Sequence, residues 1–121
     1  MEKNTNNKYR ELEMRTTAFA KAVIRLCSQL PKNSITNPLI SQIIRSSGSV
    51  GANYREANES LSKKDFLHRM KITRKETKET RHWLELIEEA IPTVHDSMNP
   101  LYREVDELRN IFSAIISKSI E

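Results

Sequence analysis

Lys64, Lys71, Lys75 and Lys78 recur at helical spacing along the stretch from Ser62 to Ile91. At 100° per residue they share one side of a helix, with His68 and His82 beside them and Arg74 and Arg81 on one shoulder. An ammonium on a flexible stem is a point charge, suited to neutralising phosphate rather than to reading base edges. On the first helical stretch, Arg10, Lys21 and Arg25 share a second outward face. The chemistry these residues offer is polyanion binding by charge and shape. The competing account is a solvated helix face, interrupted by Glu79.

Other chemistries have less behind them. Glu79-x-x-His82 matches one element of a bundle di-iron site, but such sites need two of these elements plus two further glutamates, all facing inward. Cys27 has no His or Cys at ligand spacing, which makes it a packed side chain, and His95 falls in a loop. No metal and no cofactor is expected. There is no glycine-rich phosphate loop and no nucleophile elbow, so the chain reads as a non-enzyme. No aromatic residue interleaves with the lysines, and no helix-turn-helix, zinc-finger or RNA-recognition signature occurs. Binding with little sequence preference is the expectation.

The lysine row is positioned by its opposite face. Phe66, Met70, Thr73, Thr77, Thr80, Leu84, Ile87 and Ile91 recur at steps of four and three, the spacing of a bundle seam. The three threonines are expected to bond back to helix carbonyls or to reach Asn53 or Glu56 across the bundle. Three further amphipathic helices are predicted. The first runs from about Asn7 to Leu30, with the stripe Leu12, Phe19, Val23, Leu26 and Leu30, and stops at Pro31. The second starts at Asn37-Pro38, with Leu39, Ile40, Ile43, Ile44, Ser47, Val50, Gly51, Tyr54, Ala57 and Leu61 on one broad face. The third is opened by Ser62 and Asp65 in a capping-box arrangement. The fourth starts at Asn99-Pro100 and carries Leu101, Val105, Leu108, Phe112, Ile115 and Ile116. Short connections favour an antiparallel, up-down-up-down four-helix bundle in an all-α chain. Residues 1–6 are expected to be disordered and 7–121 to form a single domain.

Composition agrees. The chain has 121 residues, two glycines, four prolines and 30% charged residues, with a net charge of +4. Residues 1–34 hold seven Lys/Arg against three acids, and residues 61–82 hold eight against three. Residues 83–121 reverse this, with three against eight. A field segregated in this way steers polyanions to one region. The single cysteine excludes an internal disulfide and suits a reducing cytosol. No apolar run approaches a membrane span or a signal peptide, so a cytoplasmic protein without a membrane partner is expected.

Two further groups bear on assembly. Ile72, Trp83 and Leu86 lie away from the third helix's seam and are expected to form a subunit contact. In Arg45–Ala57, Gly48 and Gly51 should each cost about 0.8–1 kcal/mol relative to Ala. Close helix packing, through Ser47 with Gly51 and Gly48 with Ala52, would offset this; a helix break at Gly48 is the alternative.

The segments Ser49–Ala57, Ser62–Phe66 and Glu79–Leu86 resemble the bacterial four-helix-bundle proteins named for open reading frames in intervening sequences of large-subunit rRNA genes. Accessory proteins of diversity-generating retroelements belong to the same family. The resemblance spans about residues 12–117. It implies a ring-shaped homopentamer of four-helix protomers. In the retroelement branch it also implies binding to RNA or DNA and to a reverse transcriptase or ribonucleoprotein partner. Many relatives carry Pro where Gly51 stands, and a different triplet after Asn53. The expected function is a non-enzymatic oligomeric scaffold that binds nucleic acid. The alternative is an assembly module that acts through protein contacts alone.

Overall fold

In the computed structural model, the described residues form four α-helices with no strand: α1 (Glu2–Ser28), α2 (Thr36–Asn58), α3 (Lys63–Ala90) and α4 (His95–Ile120), with a 3₁₀ turn at Pro92–Val94 before α4. Side chains are described for residues 8–120. The expectation of disorder over residues 1–6 lies outside them. Each helix packs on the next, α1 closes against α4, and the backbones of the diagonal pairs α1/α3 and α2/α4 do not approach one another. The result is the up-down-up-down order that short connections impose.

The third helix follows its sequence pattern closely. Met70, Thr73, Thr77, Thr80, Leu84 and Ile87 are buried, and Phe66 and Ile91 pack against them partly covered. Its start is the anticipated cap, with Asp65 N–H donating to Ser62 Oγ at 3.1 Å. The buried threonines are satisfied locally: Thr73 bonds the Arg69 carbonyl and Thr77 the Thr73 carbonyl, each at 2.8 Å. Thr80 Oγ1 lies 2.8 Å from both the Glu76 carbonyl and Ser46 Oγ on α2. Ser46 is thus the cross-bundle partner, rather than Asn53 or Glu56. Asn53 instead accepts from Arg69 at 3.2 Å.

Both Asn-Pro starts are misplaced by the sequence reading. α2 begins at Thr36, because the Asn33 side chain accepts the N–H groups of Ile35 and Thr36, each at 2.9 Å. Thr36 Oγ1 in turn donates to the Pro31 carbonyl at 2.6 Å. Pro38 is then the third helical residue, where its missing N–H has no intrahelical partner to lose. α4 begins at His95 and runs through Pro100, only the carbonyl of Asp96 losing its helical donor. The other end of α2 also differs. The helix stops at Asn58, and Leu61, expected on its buried face, is 99% exposed in the turn.

The two glycines have different roles. Gly51 is buried, and a Cβ built there would meet Thr16 Oγ1 of α1 at 3.0 Å. Close packing is correct at Ser47 and Gly51, both buried. It is incorrect at Gly48 and Ala52, which are exposed; a Cβ at Gly48 would meet nothing within 4 Å. No break occurs at Gly48 either. In the core, toward the end where α2 and α4 finish, Tyr54 of α2 and Phe112 of α4 pack ring to ring, centroids 5.8 Å apart.

Substitution at the two positions should therefore have opposite effects. Gly48→Ala should stabilise the fold by up to about 1 kcal/mol through helix propensity. Gly51→Val should destabilise it by about 1–3 kcal/mol through overpacking. Thermal unfolding followed by circular dichroism measures both, and a stabilising Gly51→Val would contradict the close approach of α1 and α2.

Candidate nucleic-acid interface

α3 turns its threonine-centred face inward, so Lys64, Lys71, Lys75, Lys78, His68 and His82 are all exposed. Among the described residues no lysine takes part in an ion pair; the pairs are made by Arg15, Arg45, Arg55, Arg81, Arg109 and His95. The division follows from side-chain chemistry. A planar guanidinium can grip a carboxylate with two parallel bonds, as Arg15 does, whereas an ammonium is a more strongly hydrated point charge. Lys32 alone among the described lysines is bonded, to the Cys27 and Leu30 carbonyls.

The arginines clasp the rims of the seams. Arg15 of α1 reaches Glu104 of α4 with Nε at 2.7 Å and Nη2 at 2.8 Å, and Nη2 also lies 2.8 Å from Glu107. These carboxylates push the Arg15 pKa further up. Arg55 joins α2 to α1 through Glu13 and Thr17, each at 3.2 Å. Arg45 of α2 pairs with Glu76 and Glu79 of α3. Arg81 of α3 reaches Asp106 of α4 at 2.8 Å and Glu85 at 2.6 Å, and lies 4.9 Å over the Tyr102 ring.

These positions sort the residues expected to bind phosphate. Lys64, Lys71, Lys75 and Lys78 form a continuous exposed row. Arg81 stands apart from it, half-buried with its guanidinium committed to Asp106, Glu85 and Tyr102. Arg74 is half-buried, with a 3.4 Å contact to Ser113. Arg10, Lys21 and Arg25 are exposed on α1. Because α1 and α3 occupy diagonal corners, those three make a separate face and do not extend the lysine row within one protomer.

Of the expected subunit contact, Ile72 and Trp83 are half-buried and Leu86 is 37% exposed. Trp83 packs partly on the core, donates Nε1–H to Glu79 at 3.0 Å and sits 5.0 Å from the His82 ring. Glu79 is thereby held by Arg45 and Trp83, away from any shared ligand position with His82. Among the described residues no group of three or more His, Cys, Asp or Glu side chains could hold a metal ion. No described helix is long and apolar enough to cross a membrane. Cys27 is buried, and burial pushes its thiol pKa up.

A family model described as 23S rRNA-intervening sequence protein matches residues 10–114. The chain belongs to that family. This member is also similar to a solved structure from Bacteroides thetaiotaomicron VPI-5482, described as a protein with unknown function from the S23 ribosomal protein family. The two share 27% identity over 91% of this chain and 98% of that one, with a TM-score of 0.79. No curated protein matches the chain.

One polar cluster escaped the sequence reading because its members come from two helices. At the α3–α4 turn, Glu88 accepts from Tyr102 Oη at 2.7 Å and pairs with His95 Nδ1. The Glu88 carboxylate raises the His95 pKa above its ordinary 6.5, and His95, then Tyr102, lower Glu88 below its ordinary 4.5. The stabilisation linked to His95 is complete below 6.5 and fades as pH rises through the raised value. That linked to Glu88 is present above 4.5 and fades as pH falls through the lowered value. His95→Ala should therefore lower the unfolding temperature more at about pH 5.5 than at about pH 9. Equal losses at both would show that the pair is not formed in solution.

Proposed function

We propose that this protein is a non-enzymatic oligomeric scaffold that binds RNA or DNA through the α3 lysine row. The observation that carries the reading is that Lys64, Lys71, Lys75 and Lys78 make no ion pair with a described residue, although the described residues make many pairs elsewhere. Lysines without local counter-charges attract a polyanion and release its counterions on binding. Flexible point charges on a convex helix give little base discrimination.

Assembly completes the proposal. We infer a ring of identical copies, a pentamer by the family resemblance. Partly exposed Ile72, Trp83 and Leu86 support a contact between copies. A ring repeats each basic face by symmetry, so a protomer of modest charge acquires a large field. It also repeats the α1 face of Arg10, Lys21 and Arg25, which one protomer keeps apart from α3. A reverse transcriptase or ribonucleoprotein partner is supported by the resemblance alone. The protein-only assembly module remains the second reading, supported by the exposed side chains of Ile24, Ile44 and Leu86.

Nucleic-acid binding by the wild type and by Lys71→Glu/Lys75→Glu/Lys78→Glu, measured over a salt series, separates the two readings. Wild-type affinity should fall with salt at a log–log slope of about −0.7 to −0.9 per phosphate neutralised, and the variant should lose roughly 2 to 3 from the magnitude of that slope. Light scattering on the same samples should give a multiple of the protomer mass for both. Salt-insensitive binding, or an unchanged slope in the variant, would contradict the nucleic-acid reading, and a monomer would contradict the ring.

A further inference from the structure

The seam between α1 and α4 is the least closely approached of the four, and it opens at one end into a cleft of about 600 Å³. All four helices contribute to it there, where α1 begins, α2 ends, α3 begins and α4 ends. Its apolar wall includes Leu12, Tyr54, Phe66, Ile111 and Ile115. Leu12, Phe66 and Ile115 pack against the core but are only partly covered, so among the described residues the final layer of the bundle is incompletely filled at this end. The volume falls within the usual range for small-molecule sites, which are mostly apolar with a few polar groups at the mouth.

The polar groups on its rim indicate what would fit. Lys8 and Lys118, from the opposite sides of the seam, both line the cleft and are both exposed. Neither takes part in an ion pair with a described residue, as noted above for the lysines generally. Arg15 also lines the cleft, but Glu104 and Glu107 already occupy its fork. Glu11 is the acidic group on the wall, and it disfavours a polyanion. An apolar wall with two available ammonium groups and one opposing carboxylate suits a single negative charge on a long apolar body, and does not suit a phosphate chain.

We propose that this cleft binds an amphipathic monoanion of the alkyl carboxylate class. The chain lies along Leu12, Phe66 and Ile115, and the carboxylate sits between Lys8 and Lys118. Burial of alkyl surface supplies most of the affinity, at about 25 cal/mol per Å² before ordering costs, and the lysines supply the preference for an anion. No lysine of the α3 row lines the cleft, and the proposal does not depend on the nucleic-acid reading.

Titration calorimetry of the full chain with dodecanoate, dodecyl maltoside and dodecyltrimethylammonium, each below its micelle concentration, tests the proposal. Dodecanoate should bind saturably, at least about tenfold more tightly than the neutral or cationic amphiphile. Lys8→Glu/Lys118→Glu changes only exposed side chains, and should weaken dodecanoate by at least about tenfold while leaving helical content and unfolding temperature in place. Ile115→Glu, placed in the apolar wall, should abolish binding. The proposal is overturned if dodecanoate binding is not saturable, if the three amphiphiles bind alike, or if the double lysine variant binds as the wild type does.

Discussion

The constraint on which the structure depends is burial of the narrow, threonine-centred face of α3. Met70, Thr73, Thr77, Thr80, Leu84 and Ile87 are all covered, and this fixes the rotation of the helix about its axis. Threonine is an unusual choice for a core face, since a buried hydroxyl without a partner costs about 1–3 kcal/mol. Here each hydroxyl bonds a carbonyl on its own helix, and Thr80 meets Ser46 as well. The face is therefore polar in composition yet satisfied, and among the described residues no buried side-chain polar atom lacks a partner. With the inner face fixed, the lysines one third of a turn and more away are forced outward.

The charged residues add definition to this arrangement more than stability. Partly exposed ion pairs contribute about 0–1 kcal/mol each. The arginine clasps between Arg15 and Glu104, Arg55 and Glu13, Arg45 and Glu76, and Arg81 and Asp106 cannot rival the burial of the apolar core. Their effect is on where charge remains. Three acids of the negatively charged C-terminal third, Glu104, Asp106 and Glu107 on α4, are directed to Arg15 and Arg81, which reduces the free acidic surface of that helix. Among the described residues the cations left without an ion pair are the lysines, on α3 and at the two ends of the bundle, Arg10, Lys21 and Arg25 on α1, Arg69 and Arg74 on α3, and Arg103 on α4. Sequence charge counts showed the segregation by segment; pairing across seams shows which cations are available.

Periodicity made most of the fold legible. The seam of α3, the stripe of α4 and the Ser62 cap all follow from spacing and local hydrogen-bonding chemistry, which depend on neighbours within a few residues. The errors arise where a residue's role is set elsewhere. Asn37-Pro38 and Asn99-Pro100 resemble helix starts, but Asn33 and the 3₁₀ turn at Pro92–Val94 begin the helices earlier, and proline is tolerated near a helix start. Gly48 and Gly51 differ only because Thr16 stands opposite one of them. Arg81 looked available because its partners, Asp106 and Tyr102, lie on the following helix. The His95–Glu88–Tyr102 cluster forms only when α4 folds back on α3, and the cleft between α1 and α4 only when the two ends of the chain are brought side by side.

Nucleic-acid binding by the outward row of α3 is the central claim, and labelling of individual lysines measures it most directly. Amine-reactive labelling of the protein with and without a single-stranded RNA, read by mass spectrometry, reports each ammonium separately. Protection concentrated at Lys71, Lys75 and Lys78, with Lys32 at the α1–α2 turn labelled equally in both states, is the result this account predicts. Labelling of the α3 lysines that is unchanged by RNA under conditions where RNA is bound would contradict it.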